Sequence, residues 1–153
     1  MNHLVPADEL ALVRFVGNKP RRQHPGDAGF DLINGEDDAF LIDKGATQFI
    51  RTGTKIALPW WTVGLVCSRS GLAKNHGIHV LNSPGVIDPS YRGEIGVVLH
   101  NAGSEPYIVT HGERIAQLVI VPTLRFEFEY DEEFVEDDTH RGPRGFGSTG
   151  NAA

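Results

Sequence analysis

Alternation of apolar and polar residues dominates the first half of this chain. A period of two is typical of β-strands that bury one face and expose the other. Together with a β-prone run near the start, it predicts strands at residues 10–16, 39–43, 47–52, 54–58 and 62–67. Glycine-containing turns separate the three segments between residues 39 and 58, so we expect those three to pair in order as a meander.

The second half continues in the same way around a central stretch, residues 80–101. Two β-prone runs flank the turn formers Pro84-Gly85 and Asp88-Pro89-Ser90, a pattern that predicts a hairpin with an irregular tip. Residues 112–122 are predicted to form a largely buried strand. Residues 124–130 alternate three aromatic residues with glutamates, so we expect them to form a last strand that closes the core.

One helix is expected, over residues 68–77, because a short segment with helical residue preferences ends at Gly77. The 18 glycines and 9 prolines favour turns and short strands over further helices. The sequence therefore predicts an all-β fold with one short helix, in a single domain of ordinary globular composition.

Charge and composition exclude several classes of function. The net charge of −6 argues against non-specific nucleic-acid binding as the main task. The single cysteine, Cys67, excludes an internal disulfide and fits a reducing compartment. No apolar run approaches the roughly 20 residues of a membrane span, and residues 1–9 lack the features of a signal peptide. We expect a cytoplasmic protein with neither a membrane nor a nucleic acid as its partner.

Candidate chemistry lies first at the tip of the central hairpin. Asp88 sits between turn signals and Tyr91 follows three residues later, which places a base-like carboxylate beside a flat stacking surface. The simpler interpretation is an aspartate that caps a turn and a tyrosine that packs on it. At the predicted start of the helix, Arg69 and Ser70 lie beside free backbone N–H groups that can receive an anion, although a solvated arginine there is equally ordinary.

The composition changes after residue 130. Residues 131–138 are acidic, and residues 141–150 contain four glycines and two arginines, a composition that can bind phosphate oxygens. Residues 145–150 match G-x-G-x-x-G, but no suitable strand precedes them and no lysine follows as in a Walker A loop, so neither nucleotide motif applies. We expect a β domain at residues 1–130 and a flexible C-terminal arm at residues 131–153, the alternative being a glycine-rich tail without a ligand.

Five separate segments, taken in order, resemble the trimeric dUTP diphosphatases (dUTPases): residues 25–32, 69–73, 82–94, 112–117 and 141–150. The resemblance implies a distorted jelly-roll of the dUTPase-like, β-clip type. It also implies a homotrimer with three active sites at subunit interfaces, each built from all three chains. The implied activity is hydrolysis of dUTP to dUMP and diphosphate with Mg²⁺.

In the central segment, the resemblance assigns Asp88 as the carboxylate that deprotonates the attacking water. Tyr91 matches the ring that packs on the deoxyribose and excludes a 2′-hydroxyl. The residues that match the uracil-reading hairpin are Asn82 and the backbone of Val86, Ile87 and Gly96.

Other segments match the groups that bind the triphosphate. Three consecutive residues match the phosphate-binding loop: Arg69, Ser70 and Gly71. Gln117 matches a contact to the α-phosphate. Asp31 matches the carboxylate that reaches the metal through water, with Arg114 as its structural partner and with Mg²⁺ held mainly by the substrate.

The C-terminal segment matches an arm that closes over the substrate. Phe146 would cover the uracil, and the remaining residues would hold the γ-phosphate: Arg141, Gly147, Ser148 and Thr149. The sequence departs from the family pattern in its turns, at Cys67-Ser68, Pro89-Ser90 and Trp60-Trp61, without removing a chemical group.

Two alternatives stay open beside this interpretation. A dCTP deaminase of the same fold, with or without dUTPase activity, would carry Thr-Leu-Glu after Asp88, and this sequence has no such tripeptide. Zinc deaminases are excluded because a chain with one cysteine cannot contain P-C-x-x-C, and a His76/His79 metal pair has no further ligand at suitable spacing. From another class, a dUTPase-like protein-binding module is less favoured because Asp88, Gln117 and Arg141 are all present.

Overall fold

The computed structural model describes residues 11–130, which form eleven strands and one short helix. The all-β class predicted from the sequence is confirmed. In chain order the elements are β1 (Arg14–Gly17), β2 (Gly29–Ile33), β3 (Phe40–Ile42), β4 (Thr47–Arg51), β5 (Thr54–Ala57), β6 (Thr62–Cys67), α1 (Ser70–His76), β7 (Ile78–Val80), β8 (Gly85–Ile87), β9 (Gly96–Asn101), β10 (Tyr107–Val109) and β11 (Arg114–Pro122).

The strands form four antiparallel sheets. The largest has the order β2-β11-β6-β8, and a three-stranded sheet has the order β4-β9-β7. Two ribbons, β1-β5 and β3-β10, complete the architecture. No two strands adjacent in a sheet are consecutive in the chain, as in jelly-roll topologies.

One continuous core joins the two larger sheets. Leu32 and Leu118 from the four-stranded sheet belong to the same buried cluster as Val97 and Leu99 from the three-stranded sheet. Along β9 and β6, buried and partly exposed positions alternate residue by residue, which confirms the period read from the sequence.

The meander predicted between residues 39 and 58 is wrong, although its three strands exist. β3 pairs with β10, β4 with β9 and β5 with β1. The chain changes sheets at Thr52-Gly53: the Thr52 hydroxyl donates to the Ile95 carbonyl at 2.7 Å, and Gly53 has a φ of 68°. A left-handed conformation at this corner suits glycine and directs the two strands to different partners.

The central hairpin is confirmed at its base and differs at its tip. β7 and β9 pair antiparallel, with Val80 opposite Leu99. Between them the chain forms β8, which leaves this sheet and pairs with β6, so that Val86 lies opposite Leu65. The stretch that carries Asp88 therefore links the two larger sheets.

Residues 124–130 do not close the core, and that prediction is wrong. β11 ends at Pro122, and the following residues have no regular structure. The side chains of Leu124, Phe126, Phe128 and Tyr130 are each more than three quarters exposed. The alternation is real, but no strand among residues 11–130 pairs with this segment.

The predicted helix is confirmed with slightly shorter bounds. Its N-cap is Arg69, without a side-chain cap, and Gly77 ends it in a left-handed conformation with its N–H bonded to the Ala73 carbonyl. Leu72 anchors the helix to the core. No helix within residues 11–130 is long and apolar enough to cross a membrane.

We expect Leu99→Ala to lower the free energy of unfolding by about 2–5 kcal/mol, because it removes a fully buried side chain from the central strand of its sheet. Leu41→Ala is the matched control, because Leu41 lies on β3 and is 58% exposed. Urea denaturation measures both variants. An equal loss in the two would contradict the position of the core.

Candidate active site

A cleft of about 420 Å³ opens where β2 and β11 of the four-stranded sheet meet the start of α1. Its walls come from the loop before β2, from β2 itself, from the start of α1 and from β11. The residues that line it are Gln23, His24, Asp27, Ala28, Gly29, Asp31, Arg69, Ser70, Gly71, Arg114, Gln117 and Val119. Five of the predicted site residues therefore share one cleft: Asp31, Arg69, Ser70, Gly71 and Gln117.

Asp31 is the electrostatic centre of this cleft. Its Oδ1 lies 3.3 Å from Arg69 Nε, and its Oδ2 lies 3.2 Å from Arg114 Nη1. Gln23 Nε2 also donates to Oδ2, at 2.9 Å. One carboxylate thus holds two guanidinium groups close together, and the group of three keeps one net positive charge facing the cleft.

Arg69 is fixed more firmly than an ordinary surface arginine. Besides its contact with Asp31, its Nη1 donates to the Arg114 carbonyl at 2.7 Å. The side chain of Arg69 is 25% exposed, whereas that of Arg114 is 43% exposed. The expected pairing of Asp31 with Arg114 is present, and Arg69 joins it.

Gln117 links β11 to the turn that precedes the helix. Its Nε2 donates to the Ser68 carbonyl at 2.9 Å. Its side chain crosses Gly29 on β2, where a Cβ atom would lie 2.4 Å from Gln117 Oε1. Glycine at position 29 is therefore required for Gln117 to lie against the strand.

Ser70 and Gly71 form the rim of the cleft at the first turn of α1. Both are exposed, and a Cβ on Gly71 would have no atom within 4 Å apart from its chain neighbours and the backbone of its own helix. This rim leaves space for a ligand beside the arginine pair.

The loop that carries Asp88 and Tyr91 is a separate, exposed structure. The Tyr91 N–H donates to the Asp88 carbonyl at 3.0 Å, and the Tyr91 hydroxyl donates to the Glu94 carbonyl at 2.8 Å. Neither Asp88 nor Tyr91 lines the cleft. Gln117 and Ile87 are two strands and three residues apart in one sheet, a separation of about 14 Å.

Four other predicted residues lie on the loop side. Val86 and Ile87 are on β8, which forms one edge of the four-stranded sheet. Gly96 begins β9, and the Phe49 ring covers it so closely that a Cβ would lie 2.1 Å from that ring. Asn82 is exposed in the turn between β7 and β8. The structure thus divides the predicted site into a cleft group and a loop group.

Comparison with known proteins identifies the family. The sequence model of the dUTPase family matches residues 17–150. The chain belongs to the dUTPase family.

Curated relatives share this assignment. The deoxyuridine 5'-triphosphate nucleotidohydrolase of Corynebacterium glutamicum is 51% identical over 135 residues, which cover 88% of each chain. That of Clostridium novyi is 50% identical, covering 86% of this chain and 89% of the relative.

The fold agrees with solved dUTPases. A Staphylococcus bacteriophage 80alpha dUTPase with dUPNHPP superposes with a TM-score of 0.83 at 28% identity, covering 93% of this chain and all of that one. The G164S mutant of the same phage enzyme, with dUpNHpp, gives a TM-score of 0.82 at 27% identity and the same coverage.

The residues fit Mg²⁺ only as an ion shared with a ligand. No group of three or more histidine, cysteine or acidic side chains with metal-binding geometry occurs within residues 11–130. Asp31 Oδ2 accepts from both Arg114 and Gln23, while Oδ1 faces Arg69 alone. One acceptor position remains on Oδ1, enough for a metal-bound water but not for a protein-built cage.

Several predicted residues lie outside the described part of the chain: Arg141, Phe146, Gly147, Ser148 and Thr149. Sequence reasoning also missed residues that the structure brings to the two groups. Gln23 and Arg92 belong to loops without periodicity, and Glu94 acts through the Gly53 N–H, to which its Oε1 lies at 2.8 Å. The polar stretch at residues 17–24 and the turn-forming residues after Asp88 were the available signal in the sequence.

Glu113 secures the turn that leads into β11. The Tyr107 hydroxyl donates to Glu113 Oε1 at 2.5 Å, and the Thr110 N–H donates to Oε2 at 3.0 Å. Burial, reinforced by the hydrogen bond to Glu113 and by its charge, raises the pKa of Tyr107 to about 12. These bonds fix the residue that immediately precedes Arg114.

We expect stability to fall at alkaline pH because of Tyr107. Its folded pKa, about 12, exceeds the ordinary value of 10.0, so its contribution is complete below pH 10 and is lost as the pH rises toward 12. A difference titration of tyrosinate absorbance between wild type and Tyr107→Phe measures this pKa directly. The Tyr107→Phe variant should also lose stability less steeply over this range. A Tyr107 pKa near 10 would contradict the effect of the part-buried hydrogen bond to Glu113.

Proposed function

We propose that this protein hydrolyses dUTP to dUMP and diphosphate. The observation that carries the proposal is the cleft in which Asp31 holds Arg69 and Arg114 beside Gln117, in a chain that matches the dUTPase family over residues 17–150. Relatives about half identical in sequence are named for this activity.

Phosphoanhydride hydrolysis depends on charge neutralisation and alignment more than on covalent chemistry by the protein. We assign Arg69, Ser70 and Gly71 to the phosphates and Gln117 to the α-phosphate. The cleft fits this assignment because its fixed arginine and open rim can receive an anion without rearranging.

Asp88 is our candidate for the base that takes a proton from the attacking water. It is an exposed carboxylate in a turn held by backbone hydrogen bonds, so it can meet a substrate phosphate bound by another group of residues. Gln117 Nε2 holds the Ser68 carbonyl and so keeps the phosphate loop against the sheet.

Uracil recognition is assigned to the backbone of Val86 and Ile87, together with Asn82 and Gly96. β8 has only β6 as its partner among the described strands, and Gly96 pairs with β4 but lies beyond the end of β7. Backbone groups at these edges can pair with the edge of a base. Cytosine reverses donor and acceptor, so it would leave such groups unpaired.

The remaining assignments are the contact to the deoxyribose and the contacts made by the C-terminal arm. The Tyr91 ring, fixed through its hydroxyl, would pack on the deoxyribose and exclude a ribose. We assign Arg141, Phe146, Gly147, Ser148 and Thr149 to a closing arm, since the family match extends through residue 150.

Mg²⁺ would be held mainly by the substrate triphosphate, with Asp31 contacting it through water. Bound there, the ion would neutralise charge on the phosphate oxygens. Arg69 and Arg114 keep Asp31 oriented whether or not the ion is bound.

A homotrimer would bring the cleft of one chain to the loop of another. The separation of about 14 Å between Gln117 and Ile87 supports this arrangement, because one chain does not unite the two groups. The exposed apolar side chains of residues 124–130 also favour burial against another chain.

We expect diphosphate release from dUTP at a kcat/KM far above that for dCTP, dTTP or UTP. The physical reason is that base and sugar are both read by fixed groups. A coupled diphosphate assay with the four nucleotides measures this, and chromatography of the dCTP products detects deamination. Equal rates on dCTP, or a deaminated product, would refute the proposal.

Asp88→Asn should bind nucleotide almost normally and lose on the order of 10²–10⁴-fold in kcat, because asparagine keeps the shape but cannot accept the proton. Steady-state kinetics and calorimetric titration with a non-hydrolysable dUTP analogue measure the two effects. Retention of about half of the wild-type kcat would show that Asp88 is not the base.

The same variant tests whether chains share sites. Asp88→Asn and Arg69→Ala, each inactive alone, should recover about one quarter of wild-type activity when co-expressed in equal amounts, because random trimers place a normal loop against a normal cleft at that frequency. A site formed within one chain would give no recovery.

A further inference from the structure

Arg92 occupies an unusual position in the loop that carries Asp88 and Tyr91. Its Nη1 donates to the Pro89 carbonyl at 2.6 Å and to the Tyr91 carbonyl at 2.8 Å. A single guanidinium nitrogen therefore bonds two carbonyls of its own loop, one after Asp88 and one at Tyr91.

These two hydrogen bonds hold the middle of a segment that is not held by strand pairing. Residues 88–95 belong to no strand, and Asp88, Tyr91 and Arg92 are all exposed. Other bonds of the loop run from the Tyr91 N–H to the Asp88 carbonyl and from the Tyr91 hydroxyl to the Glu94 carbonyl. At its end, Glu94 Oε1 accepts from the Gly53 N–H and the Ile95 N–H donates to the Thr54 carbonyl. Glu94 fixes the end of the loop, and Arg92 ties its middle.

Two carbonyl dipoles that converge on one point repel each other unless a donor lies between them. The Arg92 guanidinium supplies that donor and, because arginine stays protonated, supplies it at every pH at which the enzyme works. Bonds to a charged donor are also stronger than neutral ones. Removal of this side chain would leave the two carbonyls free to turn apart.

The orientation of Tyr91 depends most directly on these hydrogen bonds. Its backbone bonds both Arg92 and Asp88, and its hydroxyl bonds the Glu94 carbonyl beside Gly93, where a Cβ would lie 2.3 Å from that hydroxyl oxygen. The direction of the ring is therefore set by the same few bonds that shape the turn around Asp88.

We infer that Arg92 is a positioning residue, which bonds the Pro89 and Tyr91 carbonyls and so aims the Asp88 carboxylate and the Tyr91 ring. The inference rests on the proposed function for its effect on catalysis. Arg92 does not contact the reacting atoms in this role, and no step of the hydrolysis passes through it.

The test compares Arg92→Ala and Arg92→Lys with the matched control Arg14→Ala. Arg14 lines the same shallow groove of about 340 Å³ as Arg92, and no hydrogen bond or ion pair of its side chain occurs within residues 11–130. The control removes the same charge from the same surface without touching the loop.

Four measurements are made on each variant: kcat and KM for dUTP, the ratio of kcat/KM for dUTP to that for UTP, the thermal midpoint, and amide exchange of residues 88–94 by mass spectrometry. Arg92→Ala should lose about 10- to 100-fold in kcat, since small misplacements of catalytic groups cost this much. Its dUTP/UTP ratio should fall and its loop amides should exchange faster. Arg92→Lys should recover part of each effect, and Arg14→Ala should match wild type.

The outcomes distinguish a failure of the inference about Arg92 from a failure of the proposed dUTP hydrolysis. Unchanged loop exchange in Arg92→Ala would overturn the inference, whether or not the protein hydrolyses dUTP. Faster exchange with an unchanged dUTP/UTP ratio and kcat would overturn the catalytic part, and so would a loss explained wholly by a lower thermal midpoint. A wild-type protein inactive on dUTP would refute the proposed function, while the exchange result would still decide whether Arg92 holds the loop.

Discussion

The double pairing of β11 is the constraint on which the site depends. This nine-residue strand bonds β2 on one side and β6 on the other. Gln117 consequently lies opposite Asp31 on one neighbour and opposite Cys67 on the other. An irregularity in the register between Arg114 and Ala116 turns the start of the strand, and there Arg114 meets Asp31. Strand register therefore places Asp31, Arg114 and Gln117 in the cleft, and Arg69 reaches them from the start of α1.

Local patterns predicted the elements well because alternation and turn residues act over a few positions. The bounds of β6 and the stop at Gly77 match expectation. The pairing of the strands could not be predicted in the same way. The alternating pattern of β4 is equally compatible with pairing to β5 and to β9, and which of the two forms depends on the corner at Gly53. Alternation at residues 124–130 likewise indicated a strand without indicating what would cover it.

The same limit applies to the candidate site, because local sequence patterns do not predict which side chains come into contact. Arg69 was indicated by its position at the start of the helix, Asp31 and Gln117 were assigned through the resemblance, and the structure brings the three together. Gln23 and Arg92 were missed because their contacts are hydrogen bonds from loop side chains, one from Gln23 to a carboxylate and two from Arg92 to carbonyls. Such bonds have no periodic signature in a sequence. They depend on the path of the backbone, which only the folded chain defines.

An acidic protein that binds a more acidic ligand needs local charge of the opposite sign. The chain carries a net charge of −6, yet its cleft presents two arginines against one aspartate. If Asp31 were absent, the arginines would repel each other and separate; with it, they stay within one carboxylate's reach and retain an excess positive charge. Fixed charge of this kind acts at short range, where screening by salt is weak. The overall negative charge therefore disfavours long nucleic acids, while the local positive charge of the cleft favours the small polyanion that we propose as its ligand.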